Sequence, residues 1–370
     1  MNDAMKLLMR HVILVFALLH SQPLIGLPGQ IERHVIAHPL HTGEEIEFFI
    51  QKPEGHSACP AMLLLHGYQP PDNSSGGAQF IEYGYLQRFV KEGIVAIAIS
   101  IPGYGKSKGT RDFGGYSSQQ AIAAVIHYVK DLPYVDPSKM GIYGISRGAQ
   151  LAGMVTCHVH CLDLQILESG FYDLLSFQSD TPDYLVGIRK SIELEGGHST
   201  DELIARSVIY HADAVKAATL ILQGEFDDRR QLPAAQKLHD SLRQRGVKSL
   251  LKVYPNELHA LPVDKWDTII PFVREHFFEL YGIGVKVSEA TPAMQILKIH
   301  PDSPASHHEK IKVGDAILAI SSNNDAHEIS ALHMPISQFT SLILGKKNTA
   351  VRLRVQHFDL SVEEIVITRG

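Results

Sequence analysis

Cysteine is scarce in this chain, which has only three in 370 residues. Because Cys59, Cys157 and Cys161 are odd in number, they exclude a complete disulfide framework. Cys157 and Cys161 could pair, although cysteines four residues apart would strain a regular helix. The stretch CHVHC, which begins at Cys157, could also bind a metal. We favour a third interpretation, in which these cysteines pack into the core.

Long charged runs and long apolar runs are also missing. The net charge of −6, without an extended basic stretch, argues against nucleic acid as the main partner. The apolar run at residues 12–19 has eight residues, whereas a membrane span needs roughly 20. With 45 % hydrophobic and 20 % charged residues, the chain has the composition of a soluble globular protein with room for two domains.

The N-terminus carries the pattern of a targeting segment. Lys6 and Arg10 precede the short apolar run, and polar residues follow it, as in a secretory signal. We expect residues 1–28 to be a signal peptide, cleaved between about Ser21 and Gly29, and the protein to be exported to the periplasm or secreted. A buried N-terminal helix is the alternative. Since no cysteine directly follows the apolar run, we expect no lipoprotein anchor and no stable membrane anchor.

Short apolar runs alternate with helix-like segments from residue 29 to residue 281. Residues 31–50 alternate in polarity around Gly43, which predicts two antiparallel strands. The runs that predict strands buried on both faces are 61–67, 93–100, 140–145, 162–167, 218–224 and 249–254. Helices are predicted at 79–93, 118–132, 147–159, 234–246 and 268–282. This alternation predicts an α/β domain with a mostly parallel sheet.

One serine lies between two glycines immediately after a predicted strand. The stretch Gly144-Ile145-Ser146-Arg147-Gly148 has the form G-x-S-x-G, and a helix-like segment follows it. At a sharp strand-to-helix turn, glycines allow the two elements to approach closely and leave the serine hydroxyl exposed at the carboxyl edge of the sheet. We therefore expect Ser146 to be a nucleophile.

A serine hydroxyl is a weak nucleophile, so it requires a base, which in turn requires an orienting carboxylate. In folds with this turn, the acid and then the histidine follow the serine along the chain, each after a later strand. Asp227 follows one predicted strand and His259 follows the next. We predict a triad of Ser146, Asp227 and His259, with the neighbouring Asp228 as the alternative acid.

Attack on a carbonyl carbon produces an oxyanion, which needs hydrogen-bond donors already in place. We predict that the backbone N–H of Arg147, the residue after the serine, is one donor. The backbone N–H of Tyr68, in the turn that ends the stretch LLLHGY, is predicted to be the other. The side chain of Arg147 has two interpretations, which are contact with substrate or a cap or salt bridge on the helix.

These segments resemble the α/β-hydrolase superfamily, and more narrowly its prolyl oligopeptidase-like and dienelactone hydrolase-like members. The resemblance extends from about residue 31 to residue 281 and is most specific in VDPSKMGIYGISRGA. It implies an eight-stranded, mostly parallel sheet with helices on both faces, and hydrolysis of an ester or amide through an acyl-enzyme.

The chain departs from the family pattern at several positions. Gln223 stands where the family often has histidine before the glycine. Leu258 stands where the family usually has a small residue before the catalytic histidine. The stretch DRRQLP, which leads from Asp227 to the next proline, is longer than the corresponding stretch of the family. No β-propeller sequence precedes the hydrolase region. We therefore expect an esterase or a small-peptide hydrolase.

The sequence changes character after residue 281. Residues 282–370 read as short strands and turns, with one helix-like segment at 335–345. The loop Gly282-Ile283-Gly284-Val285 resembles the carboxylate-binding loop of PDZ domains, and HPDSPASHHEKIKVGDAILAI resembles their core segment. The resemblance implies that loop N–H groups bind a peptide C-terminus while the peptide adds as a strand beside Val285. A packing module without a ligand is the alternative.

The sequence thus predicts a signal peptide at 1–28, an α/β-hydrolase domain at 29–281 and a PDZ-like domain at 282–370. The predicted function is that of a serine hydrolase, either a carboxylesterase or a peptidase, which acts on a small ester or peptide without a cofactor or metal. The alternative is an inactive hydrolase scaffold that binds peptides. The order of Ser146, Asp227 and His259 along the chain favours the enzyme.

Overall fold

The computed structural model describes residues 29–54, 58–180, 183–229, 231–289, 292–322 and 328–370. The segment predicted to be a signal peptide, 1–28, lies outside the described residues, so that interpretation stays a prediction. Within the described ranges, no helix combines the length and the apolar character needed to cross a membrane.

An eight-stranded sheet forms the larger part of the molecule. Its strands are β1 (Glu32–Ala37), β2 (Glu45–Gln51), β3 (Cys59–Leu65), β4 (Val95–Ile99), β5 (Val135–Ile145), β6 (Leu164–Glu168), β7 (Ala218–Gly224) and β8 (Ser249–Tyr254). Their order is β1-β2-β4-β3-β5-β6-β7-β8. The pairs β1–β2 and β2–β4 are antiparallel and the others are parallel. The predicted mostly parallel, eight-stranded sheet is therefore confirmed.

Helices cover both faces of this sheet. They are α1 (Gln79–Glu82), α2 (Tyr85–Lys91), α3 (Tyr116–Lys130), α4 (Arg147–Thr156), α5 (Leu174–Asp180), α6 (Val186–Gly196), α7 (Thr200–Ile204), α8 (Leu232–Gln244) and α9 (Trp266–Phe277). Buried side chains of α3, α4 and α8 belong to one core cluster, and those of α2 and α9 belong to another. Helices α5, α6 and α7 lie between β6 and β7 in the chain; we call this insertion, 171–210, the cap.

The continuous apolar runs reflect these two cores. In β3, Leu63 and Leu65 belong to the cluster that includes α3, α4 and α8, whereas Met62 and Leu64 belong to the opposite cluster. Successive side chains of a strand point to opposite faces. A strand with both faces covered by helices therefore needs an apolar residue at every position rather than at every second one.

Two predicted elements differ from those observed. The helix predicted at 79–93 is wrong as a single element, because the chain breaks at Gly84, where φ is +70° in the left-handed region that favours glycine. Strand β5 begins at Val135, five residues earlier than expected, and these residues pair with β3 through Cys59 and Val135.

The three cysteines are all free thiols. Cys157 lies in the core, and its Sγ donates to the carbonyl oxygen of Gly153 at 3.3 Å. Burial raises the pKa of Cys157 to about 12. Cys161 packs against the same core cluster. Pairing between Cys157 and Cys161 is therefore wrong, and the interpretation as core residues is confirmed.

A second, antiparallel sheet follows residue 281. Its strands are β9 (Val285–Glu289), β10 (Met294–Ile299), β11 (Ala316–Ser322), β12 (Ile329–Ser330), β13 (Ala350–Gln356) and β14 (Val362–Thr368), and its helix is α10 (Ile336–Ile343). The order is β14-β13-β11-β10-β9, with β12 paired to β11. This unit has its own apolar core. The predicted β-rich C-terminal region is present, while its PDZ-like identity and the domain boundaries stay predictions.

Candidate active site

Ser146 lies at the turn between β5 and α4. Its φ of 56° and ψ of −116° are strained for a non-glycine residue, and its N–H donates to the carbonyl oxygen of Glu168 at 2.7 Å. A Cβ on Gly144 would lie 2.2 Å from the carbonyl oxygen of Gly148, and one on Gly148 would lie 2.1 Å from that of Leu65. Both glycines are therefore required for the close approach of strand and helix on which the predicted turn depends.

The three predicted triad residues lie within hydrogen-bond distance of one another. His259 Nε2 is 2.8 Å from Ser146 Oγ, and His259 Nδ1 is 3.1 Å from both carboxylate oxygens of Asp227. The Asp227 side chain is only 1 % exposed and that of His259 is 18 % exposed. The imidazole thus connects a buried carboxylate to a hydroxyl at the sheet edge, which is the arrangement in which a serine can lose its proton.

Asp227 is held by its own loop as well as by the histidine. Gln223 Nε2 donates to Oδ2 at 2.6 Å, and the N–H of Arg229 donates to Oδ1 at 2.9 Å. Burial raises the pKa of Asp227, but the hydrogen bond and charge of His259, together with the two other donors, outweigh burial and place it below its ordinary value. Gln223, a departure from the family pattern, therefore has a clear role.

Within the described residues, the imidazole hydrogen-bonds to Asp227 and not to Asp228. The side chain of Asp228 is about half exposed and forms an ion pair with Arg229. The structure thus brings Asp227, rather than the alternative acid, to His259.

The loops that carry Asp227 and His259 pack tightly together. A Cβ on Gly224, the last residue of β7, would lie 2.0 Å from the carbonyl oxygen of Leu258. The N–H of Phe226 donates to the carbonyl oxygen of Glu257 at 2.9 Å. These contacts hold the loop of His259 against the loop of Asp227. Nδ1 and Nε2 of His259 can therefore form their hydrogen bonds to Asp227 and Ser146 at the same time.

The loop that carries Tyr68, one of the two predicted oxyanion donors, passes close to Ser146. Cα of Gly67 approaches Ser146 closely, because a Cβ there would lie 3.4 Å from Ser146 Cβ. The N–H groups of Tyr68 and Arg147 donate to no other residue in the described ranges. Neither N–H is thus occupied by a partner within those ranges, and the role of both as oxyanion donors stays a prediction.

His66 anchors the loop that carries Tyr68. The imidazole is fully buried, its Nδ1 donates to the carbonyl oxygen of Gly67 at 2.8 Å, and its Nε2 accepts from the N–H of Ile101 at 3.2 Å. Burial lowers the pKa of His66 to about 4. The ring is thus a neutral, structural group that ties the loop after β3 to the loop after β4.

The Arg147 side chain points toward the cap. It forms an ion pair with Glu195 of α6, and it donates to Tyr104 Oη at 2.7 Å and to Ser191 Oγ at 3.0 Å. The guanidinium also lies over the ring of Phe113, 4.2 Å from its centroid. Arg147 forms a salt bridge, as one of the two interpretations expected, but its partner lies on the cap rather than on the same helix; contact with substrate stays a prediction. Glu195 was not identified from the sequence, since no motif surrounds it.

A second buried ion pair lies behind the site. Lys265 Nζ donates to Glu168 Oε1 at 2.6 Å and to Tyr85 Oη at 2.8 Å, and Tyr143 Oη donates to the other Glu168 oxygen. Side chains of Lys265 and Glu168 are 7 % and 3 % exposed. Lys265 follows the loop that carries His259. The backbone carbonyl oxygen of Glu168 accepts a hydrogen bond from the N–H of Ser146. The ion pair between the two side chains therefore connects the segment next to the base with the residue that holds the backbone of the nucleophile. The sequence offered no signal for it, because the two residues are far apart in the chain.

Metal-ligand geometry occurs twice among the described residues. The groups are His38, His41 and Glu44, and Asp227, Asp228 and His259, whose ligand atoms lie within 4.8 Å of one another. In the second group, His259 is hydrogen-bonded to Asp227, and the carboxylate of Asp227 also accepts hydrogen bonds from Gln223 and from the N–H of Arg229. In the first, the N–H of Leu40 donates to His38 Nδ1 at 3.1 Å.

The predicted carboxylate-binding loop lies at the start of the second sheet. Ile283 is fully buried in the core of that unit, so only its backbone could meet a ligand. The carbonyl oxygens of Gly282, Ile283 and Gly284 accept hydrogen bonds from within the chain. Their N–H groups donate to no other described residue. Val285 begins β9, the edge strand of the sheet.

The chain is similar to known proteins over the region that carries these residues. A model of the prolyl oligopeptidase family matches residues 83–277, which is more than half of the chain. The chain belongs to the prolyl oligopeptidase family. The match covers the serine turn and the two loops that bring Asp227 and His259 to it, and the family is one of serine peptidases with the α/β-hydrolase fold.

The curated proteins that this chain resembles are considerably longer than the chain itself. The uncharacterized peptidase YuxL of Bacillus subtilis (strain 168) is 25 % identical over 254 residues, which cover 64 % of this chain and 38 % of that protein. Dipeptidyl-peptidase 5 of Porphyromonas gingivalis is 24 % identical over 214 residues, covering 54 % of this chain and 30 % of that protein. The chain thus spans less than two fifths of the length of these relatives.

Solved structures share the fold at low identity. A puromycin-hydrolyzing peptidase of Mycobacterium tuberculosis matches 70 % of this chain and 41 % of its own, with a TM-score of 0.59 and 18 % identity. An esterase of Pyrococcus furiosus matches 67 % of this chain and 92 % of its own, with a TM-score of 0.53 and 17 % identity. The α/β-hydrolase fold is therefore common to proteins described as peptidases and to one described as an esterase.

Proposed function

We propose that the protein is a serine hydrolase that cleaves ester or amide bonds of small substrates through an acyl-enzyme. The observation that supports this proposal most strongly is the hydrogen-bond network in which His259 connects Ser146 Oγ to the carboxylate of Asp227. Nucleophile, orienting acid and base come from three separate loops at the carboxyl ends of β5, β7 and β8, and their hydrogen bonds have the order that acyl transfer by a serine uses.

In the first half-reaction, Ser146 Oγ attacks the substrate carbonyl carbon while its proton passes to His259 Nε2. Asp227 accepts the Nδ1–H and stabilises the imidazolium that forms. The N–H groups of Tyr68 and Arg147 stabilise the negative oxygen. When the tetrahedral intermediate collapses, His259 returns the proton to the leaving oxygen or nitrogen, and the acyl group stays on Ser146.

In the second half-reaction, a water molecule repeats the attack. His259 removes a proton from the water, the hydroxyl oxygen bonds to the acyl carbon, and the ester bond to Ser146 breaks. The serine oxygen recovers its proton from His259, and a carboxylic acid is released. Both steps use the same hydrogen bonds, so loss of either Ser146 or His259 removes the whole cycle.

A panel of p-nitrophenyl esters and aminoacyl anilides tests this proposal. We expect turnover of at least one substrate class, and loss of that turnover in Ser146→Ala at unchanged unfolding free energy. The relative rates decide between esterase and peptidase. Folded protein that turns over none of the panel, or a Ser146→Ala variant with undiminished activity, would contradict the proposal and favour the inactive scaffold.

We also propose that the C-terminal unit binds peptide C-termini. The observation in favour is the edge strand β9, which directly follows a loop whose N–H groups at Ile283 and Gly284 donate to no described residue. Such an edge can accept an additional strand, and free N–H groups can bind a carboxylate. A fluorescence-polarisation screen of C-terminal peptides should find binders as free acids that lose binding when amidated. Equal binding of acid and amide forms would contradict the proposal.

We further propose that the protein is exported. Support comes from the order of charged, apolar and polar residues within 1–28. Expression of the full chain in a Gram-negative bacterium, followed by fractionation and N-terminal sequencing, should find a shortened chain that begins between about Ser21 and Gly29 outside the cytoplasm. A full-length chain confined to the cytoplasm would contradict export.

A further inference from the structure

A pocket of about 540 Å³ lies between the cap helix α6 and the loop that carries Tyr68. Tyr68, half exposed, forms part of its wall, and Lys190 and Glu195 of α6 face it from the cap side. Arg111, from the segment before α3, also lines it. Since the backbone N–H of Tyr68 is a proposed oxyanion donor, the pocket begins next to the proposed position of the reacting carbonyl.

The charges on the pocket wall do not cancel. Glu195 is already paired with Arg147, the residue after the nucleophile. Arg111 and Lys190 form no ion pair with any residue of the described ranges. The lining holds two positive side chains and one negative one. Because Arg147 neutralises Glu195 from outside the lining, the charges of Arg111 and Lys190 stay uncompensated, in a protein whose net charge is −6.

Arg111 is fixed in place rather than free in solvent. Its Nε donates to the carbonyl oxygen of Gly103 at 3.1 Å, and its Nη1 donates to that of Gln69 at 3.2 Å. The guanidinium lies over the ring of Tyr104, with Cζ 3.9 Å from the ring centroid. A rigid guanidinium with remaining N–H groups is well suited to bind a carboxylate in a fixed orientation.

We infer that this pocket binds a carboxylate of the substrate through Arg111, assisted by Lys190. This inference rests on the proposed function and assigns its substrate class: small esters or peptides that carry a negative charge near the bond that is cleaved. The carboxylate is either part of the acyl group or the free C-terminus of the leaving group. Both present the same two oxygens to Arg111.

Two matched substrate pairs distinguish these sources. The acyl pair is p-nitrophenyl hydrogen glutarate against p-nitrophenyl valerate, which have equal chain length. The leaving-group pair is a dipeptide with a free C-terminus against its C-terminal amide. We expect the charged member of one pair to be preferred in kcat/KM by about tenfold to a hundredfold, as typical of a charge-assisted hydrogen bond.

The variants are Arg111→Gln, Arg111→Lys and Lys190→Gln, with Lys130→Gln as a matched control at the exposed far end of α3. Because Arg111 also holds the backbone of the Tyr68 loop, the readout is the ratio of charged to uncharged substrate within each variant. We expect this ratio to fall to about one in Arg111→Gln, to recover partly in Arg111→Lys, and to fall less in Lys190→Gln. Lys130→Gln should leave it unchanged.

The outcomes separate this inference from the proposed function. Turnover of uncharged esters without preference in either pair, or a preference that persists in Arg111→Gln, overturns the carboxylate pocket and leaves the serine hydrolase intact. Absence of all turnover, together with absence of labelling at Ser146 by a fluorophosphonate, overturns both.

Discussion

The fold holds His66 in its neutral form, so acidification is predicted to destabilise the protein through this residue. A second proton on Nε2 would face the N–H of Ile101 instead of an acceptor. Burial lowers the pKa of His66 to about 4. The hydrogen bond to the carbonyl oxygen of Gly67 raises this pKa, whereas the positive charges of Arg111 and Arg147 lower it further. In the unfolded chain, histidine has a pKa of about 6.5.

The sign and size of the effect follow from these two values. Between pH 6.5 and pH 4 the unfolded chain binds a proton at this histidine that the folded chain does not. The stabilising contribution is therefore complete above pH 6.5 and is lost as the pH falls toward 4. From pH 7.5 to pH 4.5 the loss in unfolding free energy is about 2.5 kcal/mol.

Urea unfolding of the wild type and of His66→Gln over this pH range measures the effect. Glutamine can donate and accept hydrogen bonds but does not titrate, so the pH dependence of the variant should be shallower by about 2.5 kcal/mol. His127→Gln, at an exposed position of α3, serves as the control and should follow the wild type. Parallel pH profiles of wild type and His66→Gln would refute the reasoning, whatever their absolute stabilities.

Three further predictions concern the triad and its supports. Asp227→Asn should lower kcat on the order of 10⁴-fold, whereas Asp228→Asn changes it little; equal losses in steady-state assays would show that the acid is misassigned. Gly224→Ala should reduce kcat/KM by roughly 10²-fold, because the added methyl group displaces the loop of His259; an unchanged value would contradict the close approach. Lys265→Met should lower the unfolding free energy in urea by about 3–5 kcal/mol, because it leaves Glu168 buried and unpaired; a loss below 1 kcal/mol would refute that pairing.

The sheet, and the convergence of the three proposed triad residues at its edge, could be predicted because both follow from local patterns. Strands covered on both faces favour continuous apolar runs, and that pattern is visible in β3 and β4 without knowledge of their neighbours. Parallel strands end at the same edge, so residues that follow β5, β7 and β8 converge there. Order along the chain was therefore enough to predict that Ser146, Asp227 and His259 lie together, while their catalytic roles stay predictions.

Features that depend on contacts between distant segments were not predictable. Arg147 and Glu195 are 48 residues apart, and Glu168 and Lys265 are 97 apart. Neither pair lies in a recognisable motif, because an ion pair needs only that tertiary packing brings two charges together. The break at Gly84 was missed for another reason: apolar residues continue at helical spacing on both sides of it, and only the glycine itself marks the change in direction.

The central claim, that Ser146 is a nucleophile activated by His259 and Asp227, is tested most directly by covalent labelling. Native protein treated with a fluorophosphonate should gain one adduct, and peptide mapping by mass spectrometry should locate it on Ser146. Ser146→Ala should gain none, and His259→Ala should react far more slowly. A folded protein that stays unlabelled, or an adduct located on a different serine, would contradict the account.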